Sequence, residues 1–231
     1  MSKNKQMHSQ NITLVGPDRL TSGAVSLTQG VYGPQGNLEL LACDAADGLW
    51  VFWFNADRAD DPLTTPDVPP GSWSAGLSFA AGTRYLDAQI VQSTLGPDHL
   101  EVVALTDTGS LESWYWSPGP GFQRRAGVVA ERVRAFRLTH RDGELEVTVE
   151  SLDGGRSLIG SPAIGYPERF WSTRDGATLL DDDAAGMLEA LGIRDAQPGT
   201  ARSARSSRDG GTTEVTWRGA DGDIRHLGIP D

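Results

Sequence analysis

One short pattern occurs four times along the chain, and it limits the fold more than any other feature of the sequence. Each copy begins with a triplet of the type Leu-Glu-hydrophobic (Thr-Glu-Val in the last copy) and continues through Asp- and Gly-rich residues into a second strand-like run. The triplets begin at Leu38, Leu100, Leu145 and Thr213, and the second runs begin eleven residues later, at Leu49, Leu111, Arg156 and Ile224. Asp and Gly suit the backbone of tight turns, so each copy predicts a β-hairpin.

Two further strands flank each hairpin. A run that starts with Ala precedes it, at Ala24, Ala88, Ala135 and Ala204. A fourth strand is predicted after the first three hairpins, at residues 73–79, 122–129 and 167–173. Four strands repeated four times predict an all-β fold, namely a four-bladed β-propeller of four-stranded antiparallel blades. The predicted blades span roughly residues 22–79, 84–129, 132–173 and 200–229.

The two ends of the chain complement each other in this scheme. The last copy stops after its third strand, whereas residues 11–15 form a strand-like run with no hairpin of their own. Ring-shaped sheets avoid unpaired strand edges, so we expect the N-terminal strand at 11–15 to complete the last blade and close the ring. The prediction is one β-propeller domain over residues 1–231, with a disordered tail at residues 1–10.

Two segments are longer than the repeat requires. Residues 55–72 are rich in Pro and Asp, which is typical of a long surface loop. Near residues 181–191, Met187, Leu188 and Leu191 have helical spacing, which predicts one short inserted helix. The aspartates at 181–183 can cap its amino end, and Gly192 can end it.

The charge of the chain argues against nucleic acid as a partner. It has 31 Asp and Glu against 20 Lys and Arg, a net charge of −11, and an acidic protein repels phosphate backbones. A single cysteine, Cys43, excludes an internal disulfide and is predicted to be a small buried hydrophobe. No apolar run has the length of a membrane span and no signal-peptide pattern is present, so we expect a cytoplasmic protein without a membrane partner. We expect a monomer, with a homodimer as the alternative.

Two segments of the chain resemble a known repeat. Residues 27–55 (LTQGVYGPQGNLELLACDAADGLWVFWFN) and 90–117 (IVQSTLGPDHLEVVALTDTGSLESWYWS) are similar to the repeat of bacterial lectin-like β-propellers of the PLL and tectonin type. That repeat reads Gln, a small residue, a Gly-rich turn, Leu-Glu-Val, a second turn and then Leu-Trp/Tyr-x-x-Trp. The match is partial over residues 135–161 and poor over 204–231.

The resemblance implies a propeller that binds monosaccharides between adjacent blades, through an aromatic platform and polar side chains. Members of this type usually have more than four blades. Four copies therefore imply either a ring closed within one chain or a larger ring completed by association, and the strand-like run at 11–15 favours closure within one chain.

Aromatic residues on the third strands are the first candidates for a ligand site. Strand alternation places Trp53 on the opposite face from its aromatic neighbours, and Trp116 on the opposite face from Tyr115. Packed sheets need aromatic side chains as filler on both faces, and this structural interpretation competes with a binding role. We select Trp53 and Trp116 as the residues on which a sugar or an aromatic ligand would stack.

Arginines just before the first strands are the second candidates. Arg84, Arg132 and Arg202 each precede the first strand of a copy, and Arg19 is close to the equivalent place. A guanidinium group suits a carboxylate or phosphate, so convergence of these side chains would bind an anionic small molecule at the mouth of the axis. The alternative is that each arginine pairs with a nearby surface acid. Arg84, Arg132 and the adjacent Tyr85 complete the predicted ligand-binding set.

No motif in the chain indicates a metal, a cofactor or a reaction. Acidic residues recur in the hairpin turns, but Asp-x-Gly is also what tight turns prefer, and the histidines have no metal-ligand spacing. We therefore expect no metal and no cofactor. A propeller active site is assembled from separate blades and leaves no local motif, so the sequence leaves enzymatic activity undecided.

Three functions are compatible with these observations. The leading prediction is recognition of a small molecule without catalysis, either a carbohydrate, as the resemblance implies, or an anionic metabolite. The alternatives are an enzyme of bacterial specialised metabolism with a substrate pocket at the propeller axis, and a protein-interaction scaffold. One deep asymmetric pocket would favour an enzyme, repeated sites a lectin, and an exposed apolar patch a scaffold.

Overall fold

Four sheets of four antiparallel strands make up the protein. The computed structural model describes residues 11–61, 68–92, 99–141, 143–174 and 183–231. Within these ranges the strand order of the four sheets is β2-β3-β4-β5, β6-β7-β8-β9, β10-β11-β12-β13 and β14-β15-β16-β1, which we call blades 1 to 4. The predicted four-bladed propeller is confirmed.

Each blade is built from four strands that follow one another in the chain, except that β1 completes blade 4. Blade 1 contains β2 (Thr21–Gln29), β3 (Leu38–Asp44), β4 (Leu49–Phe54) and β5 (Leu77–Phe79). Blade 2 contains β6 (Tyr85–Gln92), β7 (Leu100–Thr106), β8 (Leu111–Ser117) and β9 (Gly121–Ala130). Blade 3 contains β10 (Val133–Arg141), β11 (Glu144–Ser151), β12 (Arg156–Ser161) and β13 (Ser172–Arg174). Blade 4 contains β14 (Arg202–Ser206), β15 (Thr212–Arg218), β16 (Ile224–Pro230) and β1 (Thr13–Val15).

The turns between second and third strands explain the recurring acids and glycines. Each of the four turns contains one glycine with a φ angle between 85° and 91°, a conformation that side chains with a Cβ rarely adopt: Gly48, Gly109, Gly154 and Gly222. Acid side chains accept backbone hydrogen bonds within these turns, as Asp44 does from Ala46 N at 2.7 Å and Asp221 from Asp223 N at 3.1 Å. These aspartates therefore stabilise turns.

The first described strand closes the ring. β1 pairs antiparallel with β16, so that Thr13 lies opposite His226 and Val15 opposite Ile224. The hydroxyl group of Thr13 lies 3.3 Å from Nδ1 of His226, and Val15 is buried in the cluster that joins blade 4 to blade 1. The predicted closure by residues 11–15 is confirmed, with the strand itself at Thr13–Val15.

The first strands of neighbouring blades are also joined to one another by hydrogen bonds. Ser26 Oγ of blade 1 accepts from Ile90 N of blade 2 at 3.1 Å. The Gln89 side chain of blade 2 donates to the Phe136 carbonyl of blade 3 at 3.0 Å and accepts from Leu138 N at 2.9 Å. These bonds hold the inner strands of blades 1 to 3 around the axis.

Apolar side chains fill the interfaces between blades 1 and 2, 2 and 3, and 4 and 1. Residues on opposite sides of each interface form one cluster, for example Leu41 with Ile90, Val103 with Phe136, and Ile224 with Leu40. Cys43 belongs to the first of these clusters and is fully buried, as predicted. Between blades 3 and 4 the cluster has a different composition, because the inserted helix takes part in it.

The inserted helix, α1, spans Ala184–Ala190 and packs on blade 4 through Ala184 and Leu188. Gly192 ends it, with a φ angle of 77° and hydrogen bonds from Gly192 N to Glu189 O and from Ile193 N to Leu188 O. The predicted capping by Asp183 is wrong: its side chain makes no cap hydrogen bond, because its ψ of 11° is not the extended value that directs a capping side chain to the first turn. The aspartates at 181–182 lie outside the described residues.

Two of the fourth strands are shorter than predicted. In place of 73–79, β5 starts at Leu77, because Ser74 Oγ accepts the hydrogen bond of Trp53 N at 3.0 Å that a strand partner would otherwise accept. In place of 167–173, β13 starts at Ser172, and the preceding Arg169 turns towards blade 2. The predicted tail at 1–10 and residues 62–67 of the predicted loop lie outside the described residues. No helix in the described part of the chain is long and apolar enough to cross a membrane.

Closure by β1 makes a testable contribution to stability. Val15→Ala removes two methyl groups from a side chain that is 1% exposed, and we expect it to lower the free energy of unfolding by about 1–3 kcal/mol. The matched control is Leu14→Ala, because Leu14 is 49% exposed on the same strand, and we expect a change below about 0.5 kcal/mol. Urea denaturation followed by tryptophan fluorescence measures both, and equal effects would contradict the closure.

Candidate functional site

The glutamate of each repeated triplet lies at an equivalent position in each blade. It is on the second strand and faces the next blade around the ring. In blade 2, for example, Glu101 lies on the same side of the strand as Val103 and Leu105, which pack against blade 3. The four residues are Glu39, Glu101, Glu146 and Glu214. Each interface between blades therefore carries one glutamate of this set, and the interfaces differ in what surrounds it.

The glutamate between blades 2 and 3 is fully buried and fully paired. Glu101 accepts from Arg125 Nη1 at 2.7 Å and from Arg169 Nη2 at 2.9 Å, and Arg169 reaches it from blade 3. Arg169 also donates to the carbonyl groups of Ser161 and Pro162. This cluster is a structural bridge between two blades, because its charges bind one another and leave no space for a ligand.

The glutamates of blades 3 and 4 also have arginine partners. Burial opposes ionisation of Glu214, but hydrogen bonds with His226 and Ser206 and the charge of Arg208 outweigh it and lower the pKa of this carboxyl group. Glu146, which is partly exposed, lies 3.6 Å from Nη1 of Arg174. Arginine is therefore the usual partner at this position of the ring.

Glu39, between blades 1 and 2, is the exception. It is 9% exposed, and within the described ranges no cation and no hydrogen-bond donor contacts its carboxyl group. Burial raises its pKa from an ordinary value of 4.5 to about 8. Glu39 and Gln92 both border Gly30, since Glu39 Cγ and Gln92 Oε1 each lie 3.4 Å from the position that a Cβ of Gly30 would occupy.

Trp53 and Trp116, the two predicted platform residues, both belong to this interface. Trp53 is the cross-strand partner of Glu39. It lies on the same side of β4 as Val51, which packs in the cluster between blades 1 and 2. Trp116 packs against the same cluster from blade 2, and both indole rings are partly exposed. Glu39, Trp53, Gln92 and Trp116 therefore lie at one interface, and we call this set of residues the Trp53 crevice.

The equivalent place between blades 2 and 3 is closed. Tyr115 corresponds to Trp53, and its ring is covered by the Arg125 guanidinium at 4.9 Å and by Tyr166 at 5.7 Å. No described residue covers Trp53 in either of these two ways. Among the described residues, no arginine packs over Trp53 or pairs with Glu39, in contrast to the arginines that fill the next interface.

The other predicted ligand residues lie elsewhere. Tyr85 is buried in the core, and its hydroxyl group donates to Glu112 Oε2 at 2.8 Å. Arg84 precedes β6 whereas Gln92 ends it, so the two are separated by the length of the strand, about 25 Å. Arg132 occupies a turn with a φ of 57°, and its carbonyl accepts from Leu152 N. A role for these residues in ligand binding stays a prediction.

Arg202 alone of the predicted arginines lines a large cavity, which lies between blades 3 and 4. Two arginines that the sequence did not single out, Arg137 and Arg194, line it as well. Arg19 instead packs over the Trp50 ring at 4.5 Å. In the described part of the chain, no group of three or more His, Cys, Asp and Glu side chains is arranged to hold a metal ion.

The unpaired Glu39 predicts an unusual pH dependence of stability. Its pKa is about 8 in the native state and 4.5 in the unfolded state, so the native state keeps a proton that the unfolded state has lost, and stability falls as the pH rises from 4.5 to 8. We expect Glu39→Gln to raise the free energy of unfolding by about 2–4 kcal/mol at pH 8.5 and to change it little at pH 4.5. Glu146→Gln, at the equivalent position of blade 3, is the control, and urea denaturation at both pH values is the measurement.

Glu101, unlike Glu39, is stabilised by its arginine partners, so removing one of them should destabilise the fold. Arg169→Met leaves the Glu101 carboxylate with one partner less, and we expect a loss of about 3–5 kcal/mol in the free energy of unfolding at pH 7. Arg174→Met, which breaks the partly exposed pair with Glu146, should cost less than about 1 kcal/mol. Similar losses in the two variants, measured by chemical denaturation, would show that Glu101 does not depend on Arg169.

Comparisons with known proteins give likeness in structure only. No family profile matches the chain, and no curated protein matches its sequence. Among solved structures, the chain is similar to an arginine-substituted mutant of AofleA from Arthrobotrys oligospora (TM-score 0.46, 14% identity, 95% of this chain) and to AofleA itself (TM-score 0.44, 13% identity, 95%). It is also similar to a mutant of Aleuria aurantia lectin in complex with alpha-methyl-L-fucoside (TM-score 0.41, 12% identity, 89%). This chain spans 57% of the length of each of those chains.

Proposed function

We propose that the protein recognises a carbohydrate without catalysis, and that the sugar binds in the Trp53 crevice between blades 1 and 2. The observation that carries this proposal is the state of Glu39. It is the repeated glutamate for which the described structure supplies no partner, and it lies beside the predicted platform residue Trp53. A buried acid without a partner destabilises the fold, so a ligand that donates hydrogen bonds to it is a physical reason for keeping it.

The chemistry of the crevice suits a sugar. A pyranose ring has an apolar face of C–H groups and a rim of hydroxyl groups. The indole rings of Trp53 and Trp116 offer an apolar surface to the C–H face, and Glu39 offers hydrogen-bond acceptors to the hydroxyl groups. Gln92 presents its Oε1 to the same space while its Nε2 is held by the carbonyl of His99 at 2.8 Å, which fixes the orientation of the amide.

The charge of the site favours a neutral sugar. Ligand groups that donate hydrogen bonds to Glu39 favour its ionised form, and an acidic sugar would then place a second negative charge beside it in a protein of net charge −11. A neutral hydroxyl group donates to Glu39 without that cost. The ligand class of this proposal is therefore a neutral monosaccharide, or the neutral end of a longer glycan.

The proposal predicts one site per chain. The equivalent interfaces hold arginines on Glu101, Glu146 and Glu214, so they do not offer the same acceptor. Recognition through repeated equal sites is thus disfavoured by the contacts of the glutamates. The enzyme and the protein-interaction scaffold stay alternative predictions, and Ile164 and Phe170, exposed on one loop of blade 3, are where a scaffold would be tested first.

Binding measurements on four variants test the proposal. A glycan array identifies a neutral sugar, and calorimetry should then give a stoichiometry of one. We expect Trp53→Ala and Trp116→Ala each to weaken binding at least tenfold, a loss of about 1.4 kcal/mol or more, through lost stacking area. The matched control is Trp50→Ala: Trp50 faces away from the crevice, and its indole is held by Asp44 and Arg19, so affinity should stay within about twofold.

The pH dependence provides a second readout. Hydroxyl groups that donate to Glu39 favour its ionised form, so affinity should increase as the pH rises towards about 8 and level off above it. Glu39→Gln should weaken binding and remove this dependence. A protein that binds no glycan, or a pH profile that survives in Glu39→Gln, would contradict the proposal.

A further inference from the structure

The interface between blades 3 and 4 is built differently from the other interfaces. Blade 3 presents Thr148 and Glu150 to blade 4 at positions that are apolar in the two preceding blades, where they are occupied by Leu41, Cys43, Val103 and Leu105. Glu150 forms ion pairs with Arg134 and Arg156, so this face of blade 3 is polar and partly charged. Such a face does not seal against the apolar side of another blade.

Helix α1 takes the place that blade 3 leaves on blade 4. Val215, Trp217 and Leu227 of blade 4 pack against Ala184 and Leu188 of the helix. A helix and a polar sheet do not fill the same volume as two facing sheets. A cavity of about 560 Å³ lies beside the helix, lined by α1, by the segment 193–202 and by the inner strands β6 and β10, and we call it the axial cleft. Its volume lies within the usual range of small-molecule sites.

One wall of the axial cleft is apolar. Ala185 and Ile193, from the helix and the turn after it, line the cleft together with Ala135 of β10 and Ala201, which precedes β14. Phe136, the aromatic residue of the lining, is 5% exposed and is committed to the core between blades 2 and 3. The cleft thus offers a hydrocarbon surface without an exposed aromatic platform, which suits an aliphatic or aryl group better than a sugar ring.

The remaining lining carries an excess of positive charge. Among the described residues, Arg137, Arg194 and Arg202 line the cleft together with one acid, Glu189. Nη1 of Arg202 donates to the carbonyl groups of Gly199, at 3.2 Å, and Ala201, at 2.8 Å, which holds the guanidinium group at the wall. A concentration of arginines in a protein of net charge −11 is a local reversal of the overall field, and it attracts an anion into the cleft.

A carboxyl group behind the wall limits how much negative charge the cleft accepts. Asp87 lies 3.3 Å from Gln89 Nε2, and Gln89 itself lines the cleft. Its Oδ1 is shielded from solvent without a hydrogen-bond partner among the described residues. Burial raises the pKa of Asp87, against the lowering effect of the charges of Arg202 and Arg137, so this carboxyl group compensates the arginines only in part.

We propose that the axial cleft is a second binding site, and that it takes a small organic anion with one carboxylate and a hydrocarbon body. The carboxylate binds to the arginine side of the cleft, and the hydrocarbon body lies against Ala185 and Ile193. A carboxylate brings one negative charge to a lining in which the described arginines outnumber the described acid, Glu189, by three to one. The proposal does not depend on the Trp53 crevice, which lies between two other blades.

Calorimetry on the full chain with simple probes tests this site. The probes are benzoate, phenylacetate and hexanoate, their primary amides as neutral analogues, and inorganic phosphate. We expect at least one carboxylate to bind at one site per chain with a Kd below about 1 mM, and its amide to bind at least tenfold more weakly. Raising the salt concentration should lower the affinity for the carboxylate and leave the affinity for the amide unchanged.

Arginine variants locate the site. Arg202→Gln and Arg194→Gln should each weaken carboxylate binding at least threefold, and Arg194, exposed on a loop, provides a variant that preserves the fold if Arg202→Gln does not. Arg205→Gln is the matched control, because Arg205 lies on the same strand as Arg202 but pairs with Asp231 at the surface, and its affinity should be unchanged. Trp53→Ala should also leave carboxylate binding unchanged, which separates this site from the carbohydrate site.

A crystal structure with 4-bromobenzoate gives the position directly, and the bromine signal should lie in the axial cleft. The proposal is overturned if none of the carboxylates binds, or if the amides bind as tightly as the carboxylates. It is also overturned if phosphate alone binds, if affinity is unchanged in both Arg202→Gln and Arg194→Gln, or if the bromine lies elsewhere.

Discussion

Contact between the flat sides of neighbouring blades is the constraint on which the rest of this structure depends. A four-stranded sheet that is covered on both sides must find a partner for each side, and in a ring every blade supplies a partner to the next. Three interfaces satisfy this with apolar side chains, as where Leu41 meets Ile90. The polar side of blade 3, with Thr148 and Glu150, cannot, and a helix covers blade 4 in its place. The two candidate sites follow from departures from uniform packing: a missing arginine at Glu39, and a missing apolar side on blade 3.

The order of the strands could be predicted from the sequence because local patterns determine it. The third strands start at the predicted residues, Leu49, Leu111, Arg156 and Ile224, since turn chemistry and alternation act within a few residues of each other. The closure by residues 11–15 was predicted by counting strands. The fourth strands were less predictable: β5 and β13 are three residues long, and their limits depend on a Ser74 hydroxyl and on Arg169, which bind groups that are distant in sequence.

The two candidate sites could be predicted only in part, because residues that are distant in sequence decide what surrounds them. Alternation placed Trp53 and Trp116 on the sides that face the crevice, but the same glutamate occurs in every copy, and no local signal distinguishes Glu39 from Glu101. The difference is made by Arg125 and Arg169, which lie 24 and 68 residues away from Glu101. The axial arginines show the same limit: spacing from the first strand suggested Arg84, Arg132 and Arg202, whereas the cavity is lined by Arg202 together with Arg137 and Arg194, because the position of α1 decides which side chains share a space.

The pairing of β1 with β16 has a consequence for how the protein folds during synthesis. Thr13 and His226 are separated by 213 residues, so β1 stays without its partner until β16 has left the ribosome. At about 5–20 residues per second, this interval lasts roughly 10–40 s. Blades 1 to 3 contain only strands that are near one another in the chain and can assemble early, whereas blade 4 joins β1 to strands that are made much later. The nascent chain therefore carries one unpaired strand over this interval, and an unpaired strand is a place where two chains can pair with each other.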